Sequence, residues 1–160
     1  VAVIPLPDFK QKMVQIGYLA RTANLLGIAT PKIACIAPSE QLLPNVISST
    51  EGALLAKMAD RGQLGNVVVD GPLSLDVALY KEVAEHKKVK GSSVAGDPDC
   101  LLFPNLESAN VFFKSVTHLC GGELAAMVAG TKVPCVLTSR GDTSKTKLYS
   151  IALACLAVKQ

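Results

Sequence analysis

A short polar turn near the end of the chain, residues 138–144, has the residue types that bind anions. Its Arg140 carries a planar guanidinium that matches phosphate oxygens. Its hydroxyl groups belong to Thr138, Ser139, Thr143 and Ser144. Apolar residues 134–137 precede the turn and residues at helical spacing follow it, so we predict a strand, a turn and a helix. The turn's N–H groups and the helix N-terminus then point beyond the strand, which predicts an anion site.

A purely structural interpretation of the same turn stays open. Thr143 or Ser144 would then be the N-cap of the final helix, and Arg140 a solvated loop charge. Open α/β sheets contain several turns of this kind and use only one or two of them for binding.

The rest of the chain alternates apolar segments of strand length with amphipathic segments of helix length. Since the apolar segments lack the period of two that marks a half-exposed strand, we expect both faces of the sheet to be covered. The prediction is an α/β fold, with a mostly parallel sheet and helices on both faces, in one unit over residues 1–160. The predicted strands are residues 1–4, 32–37, 66–69, 100–103 and 134–137.

Capping patterns locate the predicted helices. Asp8 with Gln11 and Ser48 with Glu51 have the spacing of capping boxes, and Gly27 is a C-terminal stop. A third helix would place Leu75, Leu79 and Val83 on one face, and a fourth begins near Glu107. In the last third we predict a short helix over residues 123–129, and a final helix that buries Leu148, Ile151, Ala152, Cys155 and Val158.

Ligands of such sheets bind outside the carboxyl ends of the strands. Three turns, residues 70–72, 104–105 and 138–144, are predicted to converge there. The candidate residues are Asp70, Asp76, Asn105, Asn110, Ser139, Arg140 and Asp142. Each has a structural alternative: Asp76 would complement a helix dipole, Asn105 would cap a helix, and Asn110 would pair with Lys114.

Composition narrows the class of partner. The net charge of +3 and the aromatic content of 4% are too low for a nucleic-acid footprint. The five cysteines form no CxxC pair, so we predict core residues in a reducing compartment, with no zinc site or disulfide framework. No apolar span of 18 residues and no signal peptide is visible, and we therefore predict a soluble, cytoplasmic protein without membrane contact. Because Val1 replaces an initiator Met, we expect a processed, truncated or partial polypeptide.

Other enzyme classes lack their signatures. The only histidines, His86 and His118, have no serine or cysteine partner that spacing identifies, which argues against a hydrolase triad. No GxGxxG and no P-loop pattern is present, which argues against dinucleotide and nucleoside triphosphate binding.

Three longer stretches carry a family resemblance. The run VAGDPDCLLFPNLESAN at residues 94–110 resembles VAGDADxLLxPDLExGN, and Lys114 continues it, although Phe113 replaces the usual Tyr. The run DGPLSLD at residues 70–76 resembles DGPLALD. Residues 132–153 resemble KxPIVLTSRADSxETKLYSIAL, and AKMADRG at residues 56–62 also agrees. From about residue 9 onward the chain is thus similar to the phosphate acetyl/butyryltransferases, with forms closest to the butyryl branch.

The resemblance implies a fold and a reaction. The fold would be isocitrate/isopropylmalate dehydrogenase-like, and this chain would be the C-terminal half of a two-domain, commonly dimeric family protein. The active site of such a protein lies in the cleft between the domains, so the chain would supply one wall of it. The reaction would transfer an acyl group reversibly between CoA and inorganic phosphate, with CoA and acyl-CoA as substrates and neither a cofactor nor a metal.

The resemblance also implies roles for named residues. Ser139 and Arg140 match the family's serine–arginine pair, which would stabilise the charges on phosphate, thiolate and tetrahedral intermediate. Where the acetyl branch has an acidic residue, this chain reads Ser144, Lys145 and Thr146, so Asp142 is the hypothetical base. Substrate-binding positions would be Asp76, Asn110, Thr138 and Ser144. Two alternatives to catalysis remain: a non-catalytic acyl-CoA-binding regulatory module, and a truncated dimerisation domain.

Overall fold

The computed structural model describes residues 3–158, which form two compact units that divide between Ala109 and Asn110. The elements are α1 (Phe9–Leu25), β1 (Lys32–Ile36), α2 (Ile47–Asp60), β2 (Val68–Leu73), α3 (Leu75–Leu79), α4 (Lys81–His86), β3 (Cys100–Leu102), α5 (Leu106–His118) and α6 (Ser144–Val158). The unit boundary falls within α5. That residues 1–160 form one α/β unit, half of a longer family chain, stays a prediction.

The sheet of the first unit confirms the predicted fold class. Over residues 3–158 it has three strands in the order β2-β1-β3, and both pairings are parallel. The observed β1 and β3 each end one residue before the predicted end. Of the predicted first strand, Val1 and Ala2 lie outside the described residues, and Val3 and Ile4 are not in a strand.

Alternation along β1 divides the core of this unit between two layers of helices. Ile33 and Cys35 pack on one face with residues of α1 and α2. Ala34 packs on the other face with residues of α3 and α4. Because successive strand residues point to opposite faces, one apolar strand serves both layers. Helices therefore cover both faces of the sheet, as predicted.

The cap of α1 is confirmed, whereas the predicted cap of α2 is wrong. The Asp8 carboxylate accepts from the Gln11 N–H at 2.8 Å, and Gln11 accepts from the Asp8 N–H at 2.9 Å. At α2 the N-cap is Val46, without a side-chain hydrogen bond. Glu51 instead forms an ion pair with Lys12 of α1, whose side chain is only 6% exposed. A buried ammonium needs an anionic partner, which outweighs a local cap.

The segment predicted as a turn after the second strand is part of the strand. β2 extends through Asp70 to Leu73, with a register irregularity opposite the stretch from Ala34 to Ile36. Pro72 has no N–H to donate, and it is tolerated because β2 lies at an edge of the sheet. The carboxyl-end rim near β2 therefore begins at Ser74.

The predicted third helix is two short helices. Tyr80 lies between α3 and α4 with an extended backbone, φ −122° and ψ 116°. This break turns Leu79 away from the core, and it is 37% exposed. The apolar spacing of Leu75, Leu79 and Val83 therefore does not describe one continuous face.

The second unit, described by itself, has less regular structure than predicted. Residues 134–137 form no strand, and Cys135 makes only an isolated antiparallel bridge with Val128. Residues 123–129, predicted as a short helix, are not helical, and this segment is tied to α6 instead. The fully buried Ser150 accepts from the Ala126 N–H at 3.0 Å and donates to the Thr146 carbonyl at 2.8 Å.

The final helix forms as predicted, but its predicted inner face is exposed. Leu148 is 62% exposed and Ile151 54% exposed, and Cys155 is exposed as well. Cys120 is also exposed, so the interpretation of the cysteines as core residues is wrong for these two and correct for buried Cys35. The described residues do not cover the apolar surface that α6 carries.

Candidate functional site

The turn at residues 138–144 precedes α6 and is organised by side chains within it. The Thr143 hydroxyl accepts from the Thr146 N–H at 3.1 Å, and its carbonyl accepts from the Lys147 N–H at 3.1 Å. Thr143, rather than Ser144, is thus the N-cap of α6. Ser144 begins the helix, and its hydroxyl has no hydrogen-bond partner among residues 3–158.

Ser139 and Asp142 are brought together at the start of the turn. The Asp142 carboxylate accepts from the Ser139 N–H at 2.7 Å, and the Asp142 N–H donates to the Ser139 carbonyl at 3.1 Å. These two bonds close the loop around Arg140. The second carboxylate oxygen and the Ser139 hydroxyl make no hydrogen bond within the described chain, so both are available to a ligand.

Arg140 lies at the tip of this turn and is exposed. Its guanidinium makes no ion pair or hydrogen bond with any residue from 3 to 158. The neighbouring cation, Lys145, differs in this respect because it pairs with Glu123. That contact lowers the pKa of Glu123 and raises the pKa of Lys145. Of these two cations of the turn region, Arg140 is the one free to meet an anion.

In the first unit, Asp76 lies at the carboxyl-end rim near β2. Its carboxylate is 3.0 Å from the Lys87 ammonium and accepts from the Val77 N–H at 2.9 Å. A hydrogen bond from Ser74, followed by one from Lys87, lowers the pKa of Asp76 to about 2. Its side chain is still 49% exposed. An ionised, accessible carboxylate at this rim is suited to a hydrogen-bond donor on a ligand.

The remaining predicted residues are placed as follows. Asp70 lies within β2, where its carboxylate accepts from the adjacent Gly71 N–H at 2.8 Å. Asn105 accepts from the Ser108 N–H at 2.9 Å, which is the capping role. Asn110 is exposed in α5, and Thr138 is half-buried without a hydrogen bond inside the described ranges. Residues 70–72 belong to β2 and form no turn. The convergence of the turns at residues 104–105 and 138–144, and the grouping of Asp76 with the Ser139–Asp142 turn, stay predictions.

Sequence patterns missed a small pocket at the carboxyl ends of β1 and β3. It borders the Lys12–Glu51 ion pair and has room for about one water molecule. Cys35 lines it too, and burial raises the pKa of its thiol to about 12, so it is an inert neutral group. A lysine among apolar helix positions was the one local sign of this pair.

A second group missed from the sequence is a cluster around Lys87, which contacts Glu40 and Ser74 in addition to Asp76. Glu40 follows β1 closely, so the rim argument applied to it as well as to Asp76. No sequence pattern singled out Lys87, because Lys88 and Lys90 lie beside it in the same basic stretch.

Over residues 3–158, no group of three His, Cys, Asp or Glu side chains has the arrangement of a metal site. None of the helices there is long and apolar enough to cross a membrane.

These features define the class of the protein. The first unit is a parallel α/β sheet with polar groups at its carboxyl ends. The second offers a hydroxyl-rich turn, with a free guanidinium, at the start of a helix. Groups of both kinds are typical of proteins that bind small anions.

The chain belongs to the phosphate acetyl/butaryl transferase family, whose profile matches residues 1–155. It is 44% identical over 156 residues to the phosphate butyryltransferase of Clostridium acetobutylicum, covering 98% of this chain and 52% of the relative. It is 41% identical over 148 residues to the phosphate acetyltransferase of Thermotoga maritima, covering 92% of this chain and 50% of the relative.

A solved structure has the same fold. The branched-chain phosphotransacylase from Enterococcus faecalis matches with a TM-score of 0.89 and 31% identity, over 98% of this chain and 56% of that chain. The chain therefore spans about half the length of the relatives it matches. The family resemblance found in the sequence motifs is confirmed.

Proposed function

We propose that this chain carries part of a site that transfers a short acyl group between CoA and inorganic phosphate. The reaction converts butyryl-CoA and phosphate into butyryl phosphate and CoA, and is reversible. Family membership and the names of the matched phosphate butyryl- and acetyltransferases support the reaction class. The observation that carries the proposal is the free guanidinium of Arg140 in a turn that begins a helix.

The chemistry of the step sets what the site must supply. A phosphate oxygen attacks the thioester carbonyl carbon and forms a tetrahedral oxyanion, whose collapse breaks the C–S bond and releases the CoA thiolate. Two anions must therefore be held close together while a third charge develops. Arg140 would neutralise the phosphate or the thiolate, and the Ser139 hydroxyl would donate to the developing charge.

Asp142 would accept the proton that the attacking phosphate loses, through the carboxylate oxygen that the turn leaves free. Thr138 and Ser144 would contact the substrate through their unpaired hydroxyls. In the same proposal Asn110 and Asp76 bind substrate, and no metal or organic cofactor takes part. We further propose that the protein works as a homodimer in the cytoplasm, which light scattering and cell fractionation can test.

The proposal is tested with the chain itself. Wild-type protein is incubated with butyryl-CoA and phosphate, and the released CoA thiol is measured with a chromogenic disulfide, alongside titration calorimetry with butyryl-CoA. Turnover that depends on phosphate supports the transferase. Binding of butyryl-CoA without turnover indicates the acyl-CoA-binding regulatory module. Dimerisation without binding or turnover indicates the dimerisation domain. Either result contradicts catalysis by this chain.

A matched pair of substitutions tests the role of Asp142. We expect Asp142→Asn to keep the turn, because its amide oxygen can still accept from the Ser139 N–H, and to lower kcat about 10²-fold because an amide cannot take the proton. Asp142→Ala should lose the turn geometry in addition and raise KM. Steady-state kinetics of CoA release measures both. An Asp142→Asn variant with wild-type kcat would remove Asp142 from proton transfer.

A further inference from the structure

Lys87, directly after α4, joins residues from two separate rim segments. Its ammonium lies 3.0 Å from Asp76 Oδ2, 3.3 Å from Ser74 Oγ and 3.5 Å from Glu40 Oε2. Glu40 belongs to the loop after β1, whereas Ser74 and Asp76 follow β2. One side chain thus contacts both segments at the carboxyl-end rim.

We propose that Lys87 is a positioning residue, which fixes the Asp76 carboxylate and ties together the chain segments that follow β1 and β2. The consequence for acyl transfer rests on the proposed function, in which Asp76 binds substrate. Lys87 would act only through Asp76 and would not contact substrate itself.

Burial shows that this cluster is anchored on one side and open on the other. Ser74 is 8% exposed, and its Oγ lies 3.2 Å from Glu40 Oε2, so the centre of the cluster is fixed. The Asp76 side chain is 49% exposed and that of Lys87 34% exposed. A carboxylate held from behind and open in front is preorganised for a ligand, because its rotamer entropy is lost before binding.

The electrostatics of the cluster support the same assignment. Asp76 raises the pKa of Lys87 through their hydrogen bond, and the proximity of Glu40 raises it further. The pKa of Glu40 is lowered by its own backbone N–H, then by Ser74 and Lys87. All these shifts favour the charged forms, so the arrangement persists at neutral pH and Lys87 does not act as a base.

The ionisation of the Asp76 carboxylate tests the contact with Lys87 directly. A ¹³C NMR pH titration should give a pKa of about 2 in the wild type and a pKa nearer the ordinary 3.8 in Lys87→Met. Lys87→Arg keeps the cation and should keep the pKa low. The matched control is Lys57→Met, which loses an exposed ion pair with Asp60 at 3.2 Å and should leave Asp76 unchanged. An equal Asp76 pKa in Lys87→Met and wild type would overturn the proposal.

Ligand affinity then tests the positioning role. We expect Lys87→Met to weaken butyryl-CoA binding about tenfold, and Lys87→Arg to restore most of it. A raised Asp76 pKa with unchanged affinity would overturn the positioning role. A wild-type chain that binds no acyl-CoA would contradict the proposed function instead, while the titration would still decide whether Lys87 holds Asp76.

Stability against pH gives an independent readout with a defined sign. The folded pKa of Asp76 lies below its ordinary value of 3.8, so its contribution to the free energy of unfolding is complete above about pH 4 and is lost as pH falls toward 2. Glu40 faces the same ammonium and acts in the same direction. The stability difference between wild type and Lys87→Met should therefore shrink over this range in urea titrations.

Discussion

Replacing Arg140 with glutamine is expected to lower kcat/KM for acyl transfer about 10³-fold. The guanidinium is exposed in a turn closed by Ser139 and Asp142, and it has no partner within the described chain. Its substitution should therefore leave the fold intact and remove only charge stabilisation. Arg140→Lys keeps the charge but loses the planar fork, so we expect a smaller loss, about tenfold.

The control is Arg61→Gln, which removes another exposed guanidinium, at the end of α2. We expect it to have wild-type kinetics of CoA release. Circular dichroism and the melting temperature establish that each variant is folded. If Arg140→Gln turned over as fast as Arg61→Gln, the turn would have no role in the chemistry, although membership of the family would stand.

The largest expected effect on stability is that of Gly96→Ala. Gly96 has φ +81°, and a Cβ at this position would lie 2.5 Å from the Cα of Lys81 and 2.7 Å from its backbone nitrogen. The Gly96 N–H also donates to the Ala78 carbonyl at 3.0 Å, so the loop cannot shift without losing this bond. We expect the free energy of unfolding to fall by about 3 kcal/mol or more.

Gly91→Ala separates the steric contribution from the conformational one. Gly91 has a similar φ of +75°, but a Cβ there would meet no atom within 4 Å. Gly91→Ala should lower the free energy of unfolding by only about 1 kcal/mol, because alanine is disfavoured in the left-handed region. Urea unfolding of both variants measures the difference. Equal losses would show that the contact with Lys81 does not constrain the loop.

Local sequence patterns located several elements correctly. The Asp8–Gln11 capping box and the two strands β1 and β3 formed within one residue of expectation. The Ser48–Glu51 pair had the same spacing, but Glu51 is taken by Lys12, which lies 39 residues away. Sequence spacing shows which backbone N–H groups a carboxylate can reach nearby. It does not show a distant buried ammonium, which here binds Glu51 in place of the local cap.

The second unit shows the limit of periodicity arguments. Residues 134–137 have the composition of a buried strand, yet Leu137 is 71% exposed and no ladder forms there. An apolar pattern indicates that a segment would be stabilised by burial. Whether it forms a strand depends on a partner strand from another part of the chain. The Ser139–Asp142 contact was likewise not predicted, although both residues were candidates, because the closure of a turn depends on backbone geometry.

Strand β1 packs against helices on both faces of the sheet, and this makes it sensitive to insertions and deletions. Because Ile33 and Cys35 face α1 and α2 while Ala34 faces the opposite layer, deleting one residue from β1 would exchange the two sets of side chains. Isoleucine would then meet a space shaped for alanine, and alanine would leave a void opposite α2. Homologous replacement within β1 should thus be tolerated far better than any insertion or deletion there.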